Sequence, residues 1–162
     1  MILSVAGLAV ASAACGSSTP AAPSVAASRG PVTTVYQNLF DFSAHHTLAE
    51  MESDIQGGTA LKTALEQGAS SSLASGVSGA TINSLSIPQS SACSAQKVPA
   101  PCAKVNFDIM AGSTAVLSDE TGYASYSTGK WLVAKITICT LLDAMYSVEG
   151  NSGTPPGCPA SS

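Results

Sequence analysis

Apolar and polar residues alternate most regularly between residues 103 and 109 of this chain. The apolar positions of that stretch are Ala103, Val105, Phe107 and Ile109. Because neighbouring side chains of a strand point to opposite faces, this pattern predicts a strand with one face in the core. A second strand is predicted over residues 81–87, where Pro88 ends the ladder of backbone hydrogen bonds.

Residues 121–142 predict a hairpin whose second strand leads into a helix, and the rest of the domain is expected to pack on it. The turn at residues 127–130 supplies Gly129 where a tight turn needs a positive φ. The flanking stretches are rich in Tyr, Trp, Val and Ile, which suit a half-buried pleated surface. We expect strands over residues 123–127 and 131–139, and then a closing helical turn over residues 140–145.

Three helices are predicted ahead of the first strand. The first spans residues 32–44, in which apolar side chains recur at helical spacing. The second begins after Thr47, because Thr47 and Glu50 have the spacing of a capping box, and it ends near residue 55. The third covers residues 60–67. Helices followed by strands, joined by short connections, predict an α+β domain with helices packed on one face of a four-stranded antiparallel sheet.

The composition argues against nucleic acids as partners and against charge-driven binding to anionic lipids. The chain has 162 residues, which allows one domain together with an export segment and a tail. Only 10% of the residues are charged and the formal net charge is −4, so there is no basic field to bind a nucleic acid. The lysines and arginines are scattered singly, so no polybasic patch is expected to bind anionic lipids.

The N-terminal segment predicts export from the cytoplasm. Residues 2–14 form an uninterrupted apolar run that is shorter than the roughly 20 residues of a spanning helix, as is typical of a signal peptide occupying residues 1–14. Residues 15–31 are rich in Ser, Thr, Pro and Ala and predict a disordered tether. The α+β domain is then expected over residues 32–147, followed by a Gly/Pro-rich tail over residues 148–162.

Cys15 is the candidate for lipid attachment. The stretch Ser12-Ala13-Ala14-Cys15 resembles a bacterial lipobox. The resemblance implies cleavage before Cys15 and acylation of its sulfur and of the new amino end, which would hold the domain at the outer face of the cell membrane. Cleavage after Ala13 or Ala14, as in ordinary secretion, is the alternative that the small residues also permit.

The cysteine count supports this assignment. An exported protein with five cysteines leaves one unpaired, and assigning Cys15 to lipid leaves four. Three pairings of four cysteines exist. We predict Cys93–Cys102, which flank one Pro-containing connection, and Cys139–Cys158, which join the end of the last strand to the tail. Each bridge is expected to contribute roughly 2 to 4 kcal/mol in an oxidising compartment.

A metal site is not expected. No CxxC spacing occurs, and the two histidines, His45 and His46, are distant from the cysteines. His46, Glu50 and Asp54 would share a face on a continuous helix. Because Thr47 is predicted to cap a helix at that point, we place both histidines in a loop.

Three residues are candidates for lining a pocket: Asp108, Tyr123 and Trp131. A carboxylate inside an apolar pocket can have a raised pKa and act as an acid or base. However, Asp108 has no second acid and no histidine near it in the sequence. Nucleophile elbows, phosphate-binding loops and HExxH motifs are absent, so no cofactor is expected and a non-catalytic role is favoured.

Three stretches carry a resemblance to a known family: SDIQGG at residues 53–58, AKVNFDI at residues 103–109, and GKWLVAK at residues 129–135, followed by Cys139 and Leu141-Leu142. They resemble the C-terminal domain of the mycobacterial low-molecular-weight secreted antigen family and of related mycobacterial lipoproteins. The similarity covers about residues 33–146. It implies a curved sheet wrapped against helices, similar to the nuclear-transport-factor cone, with a pocket and no catalytic residues.

These observations favour an exported, lipid-anchored envelope protein whose domain binds a small apolar ligand or a protein partner. Two alternatives remain open. One is an enzyme that uses the pocket with Asp108 as acid or base. The other is a structural secreted antigen without a cavity.

Overall fold

The computed structural model describes residues 23–42, 46–72 and 74–160. The predicted signal segment, Cys15 and His45 lie outside the described residues. The helices are α1 (Val25–Leu39), α2 (Leu48–Asp54), a 3₁₀ helix (Gly58–Leu61), α3 (Lys62–Ser70), α4 (Ser90–Ala95) and α5 (Lys135–Val148). The strands are β1 (Gly79–Ser86), β2 (Cys102–Ala111), β3 (Thr114–Ser127) and β4 (Lys130–Val133).

The four strands form one antiparallel sheet in the order β1-β2-β3-β4. The alternation in β2 sets its two faces, since Val105 and Phe107 are fully buried while Lys104 is exposed. The main core lies between the buried face and helices α1, α2, α3 and α5. The α+β architecture with helices on one face of an antiparallel sheet is therefore confirmed, and the finer assignment to a nuclear-transport-factor cone stays a prediction.

Helix α1 begins earlier than the sequence predicted. It starts at Val25, so residues 25–31 of the predicted tether are helical and the domain boundary at residue 32 is wrong. Ser24 caps the helix, because its hydroxyl accepts a hydrogen bond from the Ala27 N–H at 3.2 Å. Ser28 and Val32, one turn apart, are fully buried. Pro31 lies inside the helix, where sequence reasoning places a boundary.

Helix α2 begins as predicted, with both halves of the capping box formed. The Glu50 N–H donates to the Thr47 hydroxyl at 3.3 Å, and the Thr47 N–H donates to a Glu50 carboxylate oxygen at 2.7 Å. The next helix differs from its prediction. The chain makes the 3₁₀ turn from Gly58 before α3, so residues 60–67 are divided between two kinds of helix.

The β3–β4 hairpin forms at the predicted turn. Thr128 and Gly129 have φ values of +50° and +86°, as a type I′ turn requires. The second strand is shorter than predicted, since β4 ends at Val133 and α5 starts at Lys135. At that point the Thr137 hydroxyl accepts a hydrogen bond from the Tyr123 N–H at 2.8 Å. This side-chain contact to the edge of β3 replaces the backbone ladder that the predicted strand over residues 131–139 would have made.

Strand β3 and helix α4 contain structure that the sequence did not predict. β3 extends upstream to Thr114, and irregular pairing with β2 falls where Asp119 adopts a φ of +59°. α4 lies in the connection from β1 to β2. Cys93 of α4 and Cys102 of β2 form a disulfide and join Val98 and Ala134 in a small second cluster. Cys102 precedes the core residue Ala103, so this cluster lies on the outer face of the sheet, away from the main core.

The second disulfide joins Cys139 of α5 to Cys158 of the tail. Both bridges therefore have the pairing predicted from the sequence. Cys139 packs in the main core and Cys158 against it, which attaches part of the Gly/Pro-rich segment to the domain. Within the described ranges, no helix combines the length and apolar character that crossing a bilayer requires.

Candidate apolar ligand site

A cavity of about 290 Å³ lies between the helices and one end of the sheet. Every residue that lines it is apolar or glycine. Six buried residues of its wall come from α1, α2, α3, β2 and α5, namely Leu39, Met51, Leu65, Ile109, Ile138 and Leu142, and three others, Phe40, Ala74 and Val77, come from connecting segments. Such a cavity offers a ligand dispersion contacts and removal from water, with no side-chain hydrogen-bonding group on its wall.

Helix α5 supplies the longest side of the cavity. Ile138, Leu141, Leu142, Met145 and Val148 recur at the spacing that places residues on one helical face. Helix α3 approaches this face at Gly68, where an added Cβ would lie 3.0 Å from Leu142 Cδ2. The glycine thus allows α3 and α5 to meet closely beside the cavity.

The mouth of the cavity exposes apolar side chains to solvent. Val116 and Leu117 of β3 are 51% and 43% exposed, and Val148 of α5 is 73% exposed. Within the described residues, four large hydrophobic side chains are exposed in this way, and three of them line this one cavity. Scattered single apolar residues are ordinary at a surface, whereas a group at the opening of an apolar cavity indicates a binding site.

Asp108 lies on the opposite face of the sheet from the cavity, because it precedes the cavity residue Ile109 in β2. Its carboxylate accepts hydrogen bonds from the Asn83 side-chain amide at 2.9 Å and from the Asp119 N–H at 2.8 Å. Asn83 and Asp119 both occupy irregular positions of their strands. Asp108 therefore links β1, β2 and β3 on the outer face, and the prediction that it lines the pocket is wrong.

Tyr123 and Trp131 are also separated from the cavity. Tyr123 packs against the Cys93–Cys102 cluster on the outer face. Trp131 is only 5% exposed and lines a different groove of about 610 Å³ between the first turns of α1 and the β3–β4 hairpin. The structure thus divides the three predicted pocket residues among three places.

The groove beside Trp131 is more open and more polar than the cavity. Its lining includes Asp54 and Lys130, and the Lys130 ammonium donates a hydrogen bond to the Ser53 carbonyl at 3.0 Å. Partial burial raises the pKa of Asp54, and the positive charge of Lys130 opposes that change. The walls of this groove present less apolar surface than the walls of the cavity.

The histidine–carboxylate alignment considered in the sequence does not form on one helix. His46 precedes the capping residue Thr47, so it lies outside α2, which carries Glu50. No group of three or more His, Cys, Asp and Glu side chains suited to a metal ion occurs in the part of the chain that the structure describes.

The residues that build the cavity were not identified from the sequence as a site. Two signals were present. The apolar spacing in α5 extends to Val148, beyond the predicted closing turn, and Val116-Leu117 is a pair of large apolar residues in an otherwise small or polar stretch.

Comparison of the chain with models of protein families, with curated proteins and with solved structures finds no match.

Proposed function

We propose that this protein is an exported, lipid-anchored envelope protein whose small non-catalytic domain binds an apolar ligand in the cavity between α5, α3 and the β2–β3 hairpin. The observation that carries the binding part is the wholly apolar lining of a cavity of about 290 Å³ with an exposed apolar mouth. The anchoring part rests on the lipobox-like stretch at Cys15 and on two disulfides that use the other four cysteines. The resemblance to mycobacterial lipoproteins is consistent with both parts.

The cavity favours binding over catalysis. General acid–base or nucleophilic chemistry needs a titratable or nucleophilic side chain within hydrogen-bonding reach of the substrate. None of the lining residues has one. The enzyme alternative relied on Asp108, whose carboxylate faces away from the cavity and already accepts two hydrogen bonds.

Binding is tested with an uncharged dye, phenylnaphthylamine, whose fluorescence rises in an apolar site. We expect saturable enhancement with the folded protein. The Ala144→Trp variant should weaken it at least about tenfold, because Ala144 is exposed at the mouth and a larger side chain there would obstruct entry. Ala26→Trp is the matched control, since Ala26 is an exposed helical alanine outside the cavity lining.

Two results would contradict the binding proposal. One is absence of saturable dye binding by a protein that melts cooperatively, which would favour the structural antigen without a ligand. The other is equal weakening by Ala144→Trp and Ala26→Trp. Asp108→Asn separates binding from catalysis, because we expect it to leave dye affinity within about twofold of the unsubstituted protein.

Anchoring is tested independently with Cys15→Ser in a bacterial host. We expect the unsubstituted protein to partition with membranes and to carry the mass of acyl chains on its N-terminal peptide. The Cys15→Ser variant should lose that mass and appear in the medium. Cleavage after Ala13 or Ala14 without acylation would instead assign the protein to ordinary secretion.

A further inference from the structure

We infer that the ligand of this cavity is a single-chain amphiphile whose polar end carries a positive charge, and that carboxylate or phosphate amphiphiles are disfavoured. This inference rests on the proposed binding function and names the class of ligand for that site. It follows from the charges around the mouth together with the size and lining of the cavity.

The chain segments that form the mouth contain acidic residues and no lysine or arginine. These segments are residues 38–42, 109–121 and 138–151, and their acidic residues are Asp41, Asp119, Glu120, Asp143 and Glu149. Two of these residues lie on the cavity side of their elements. Glu120 pairs with the core residue Phe107, as Leu117 pairs with the cavity residue Ile109, so its side chain is on the cavity face of the sheet, and Glu149 directly follows Val148.

The cations of the chain occupy other positions. Lys62 lies within 3.8 Å of a Glu52 carboxylate and 3.4 Å of a Glu66 carboxylate. Lys130 is in the hairpin beyond the other end of the sheet, where it donates to the Ser53 carbonyl. The remaining basic residues are Arg29, Lys97, Lys104 and Lys135, each near the start of its own helix or strand or in the α4 connection. A ligand leaving its polar end at the mouth therefore meets negative potential.

The cavity suits one hydrocarbon chain. A cavity of about 150 Å³ lined by aliphatic and aromatic side chains holds a benzene molecule, so about 290 Å³ accommodates roughly a dozen carbon atoms. Because no lining side chain can pair with a polar group, the head group must remain at the mouth. The charge of the head group then interacts with the carboxylates at the mouth.

The experiment compares three ligands with the same dodecyl chain as competitors of phenylnaphthylamine. They are dodecyltrimethylammonium and dodecanoate, each below its critical micelle concentration, and dodecanol below its solubility limit. At low ionic strength we expect the ammonium compound to bind about tenfold more tightly than dodecanoate, with dodecanol between them. This difference should shrink in about 0.5 M salt, since screening acts on exposed charges.

The double variant Glu120→Gln, Glu149→Gln tests the source of the difference. Glutamine keeps the size and shape of glutamate, and Glu149 is exposed at the end of α5, so the fold should be retained. We expect the ammonium-to-carboxylate ratio to fall by at least about threefold while dodecanol affinity is unchanged. The matched control is Asp108→Asn, which removes a charge from the outer face of the sheet and should leave the ratio within about twofold of its original value.

The outcomes separate this inference from the proposed function. If dye and dodecanol bind but the carboxylate binds as tightly as the ammonium compound, the inference is overturned and apolar binding stands. If the two mouth substitutions leave the ratio unchanged, the assignment to the mouth carboxylates fails. If nothing binds and gel filtration shows a dimer that Ala144→Trp dissociates, the mouth is an interface between copies, and both proposals fail.

Discussion

Gly122 of β3 lies where side chains of α1, β2 and α5 approach the strand closely. An added Cβ would lie 2.6 Å from the Tyr36 hydroxyl, 2.7 Å from Thr137 Cγ2 and 3.0 Å from Phe107 Cε1. The Tyr36 hydroxyl also donates a hydrogen bond to the Tyr123 carbonyl at 3.1 Å, and burial raises the pKa of Tyr36 strongly. The missing side chain therefore lets α1 and α5 pack directly on β3.

We predict that Gly122→Ala lowers the free energy of unfolding by about 1 to 3 kcal/mol, because buried neighbours must move to admit the methyl group. Gly30→Ala is the matched control. Gly30 lies exposed in α1, and no atom other than those of its chain neighbours and of its helix's own backbone lies within 4 Å of an added Cβ. Alanine there should change the free energy of unfolding by less than about 0.5 kcal/mol, because its higher helix propensity is opposed by crowding of the Cβ against the following Pro31. Denaturant unfolding measures both, and a loss at Gly122→Ala no larger than that at Gly30→Ala would contradict the close packing at Gly122.

The role of Glu50 in the cap of α2 predicts that the stability of the fold depends on pH. The hydrogen bond from the Thr47 N–H, and then that from the Thr47 hydroxyl, hold the pKa of Glu50 below its usual value. A carboxyl group with a lowered pKa in the folded state stabilises the fold above its unfolded pKa. That contribution disappears as the pH falls through the folded pKa.

We therefore expect Glu50→Ala to lower Tm at neutral pH, and the difference from the unsubstituted protein to vanish in acid. Glu50→Gln is the control, because glutamine can complete the capping box without titrating. Thermal unfolding followed by circular dichroism across the acid range gives the comparison. A deficit in Glu50→Ala that persists in acid, below the folded pKa of Glu50, would contradict the assignment.

At the scale of elements, local patterns predicted the sheet and the start of α2, and missed the starts of α1 and α5. The alternation in β2 and the turn at Thr128-Gly129 are encoded by adjacent residues, so they could be predicted. The start of α5 could not, because Ile136, Thr137 and Ile138 favour a strand locally. Its helix depends instead on Thr137 meeting the Tyr123 backbone and on Ile138 and Leu142 entering the core.

The set of residues that line the cavity could not be predicted from local patterns for the same reason. Its lining comes from separate helices and strands, and no local stretch records that these elements leave space between them. Asp108 is the opposite case, a residue that the sequence assigned to a pocket and that the structure places outside it. An acidic residue on an amphipathic strand was placed in a pocket, although its carboxylate binds donors from neighbouring strands on the outer face.

The first two turns of α1 are predicted to contribute to the stability of the domain. A chain that begins at Val32 lacks the buried Ser28 and loses Ala27 and Pro31 from the groove beside Trp131. We expect it to be less stable than a chain that begins at Pro23 by roughly 1 to 3 kcal/mol. Because Trp131 is the single tryptophan of the protein, its emission should shift to longer wavelength.

The control for this truncation is a chain that begins at Gly16. Residues 16–22 precede the helix and its Ser24 cap, so their removal to leave Pro23 should change neither Tm nor the tryptophan spectrum. Equal stability of the chains that begin at Pro23 and Val32 would instead support the original tether boundary.

At the scale of the whole molecule, the proposed anchor Cys15 precedes the N-terminal end of α1 in the sequence, whereas the cavity lies at the C-terminal end of that helix. Cys15 and Pro23 are eight residues apart, so an extended link spans at most about 28 Å. Helix α1 has 15 residues and is about 22 Å long, and its C-terminal end contributes Leu39 to the cavity. Repulsion of the acidic segments at the mouth, together with Lys130 in the hairpin at the other end, would favour turning the mouth away from an anionic membrane.

This arrangement gives a prediction about orientation, which rests on acylation of Cys15. Ser113, in the β2–β3 turn near the mouth, and Ser127, beside the hairpin turn at the other end, are exposed serines that can each be replaced by cysteine and labelled with the same dye. In vesicles containing anionic lipid and a quencher on the head groups, we expect a dye at Ser127→Cys to be quenched more than one at Ser113→Cys. Raising the salt concentration should reduce the difference, because screening weakens the charge contribution while the link still limits the distance. Equal quenching at low salt would contradict a preferred orientation, and stronger quenching at Ser113→Cys would mean that the mouth faces the membrane, from which the ligand could then enter directly.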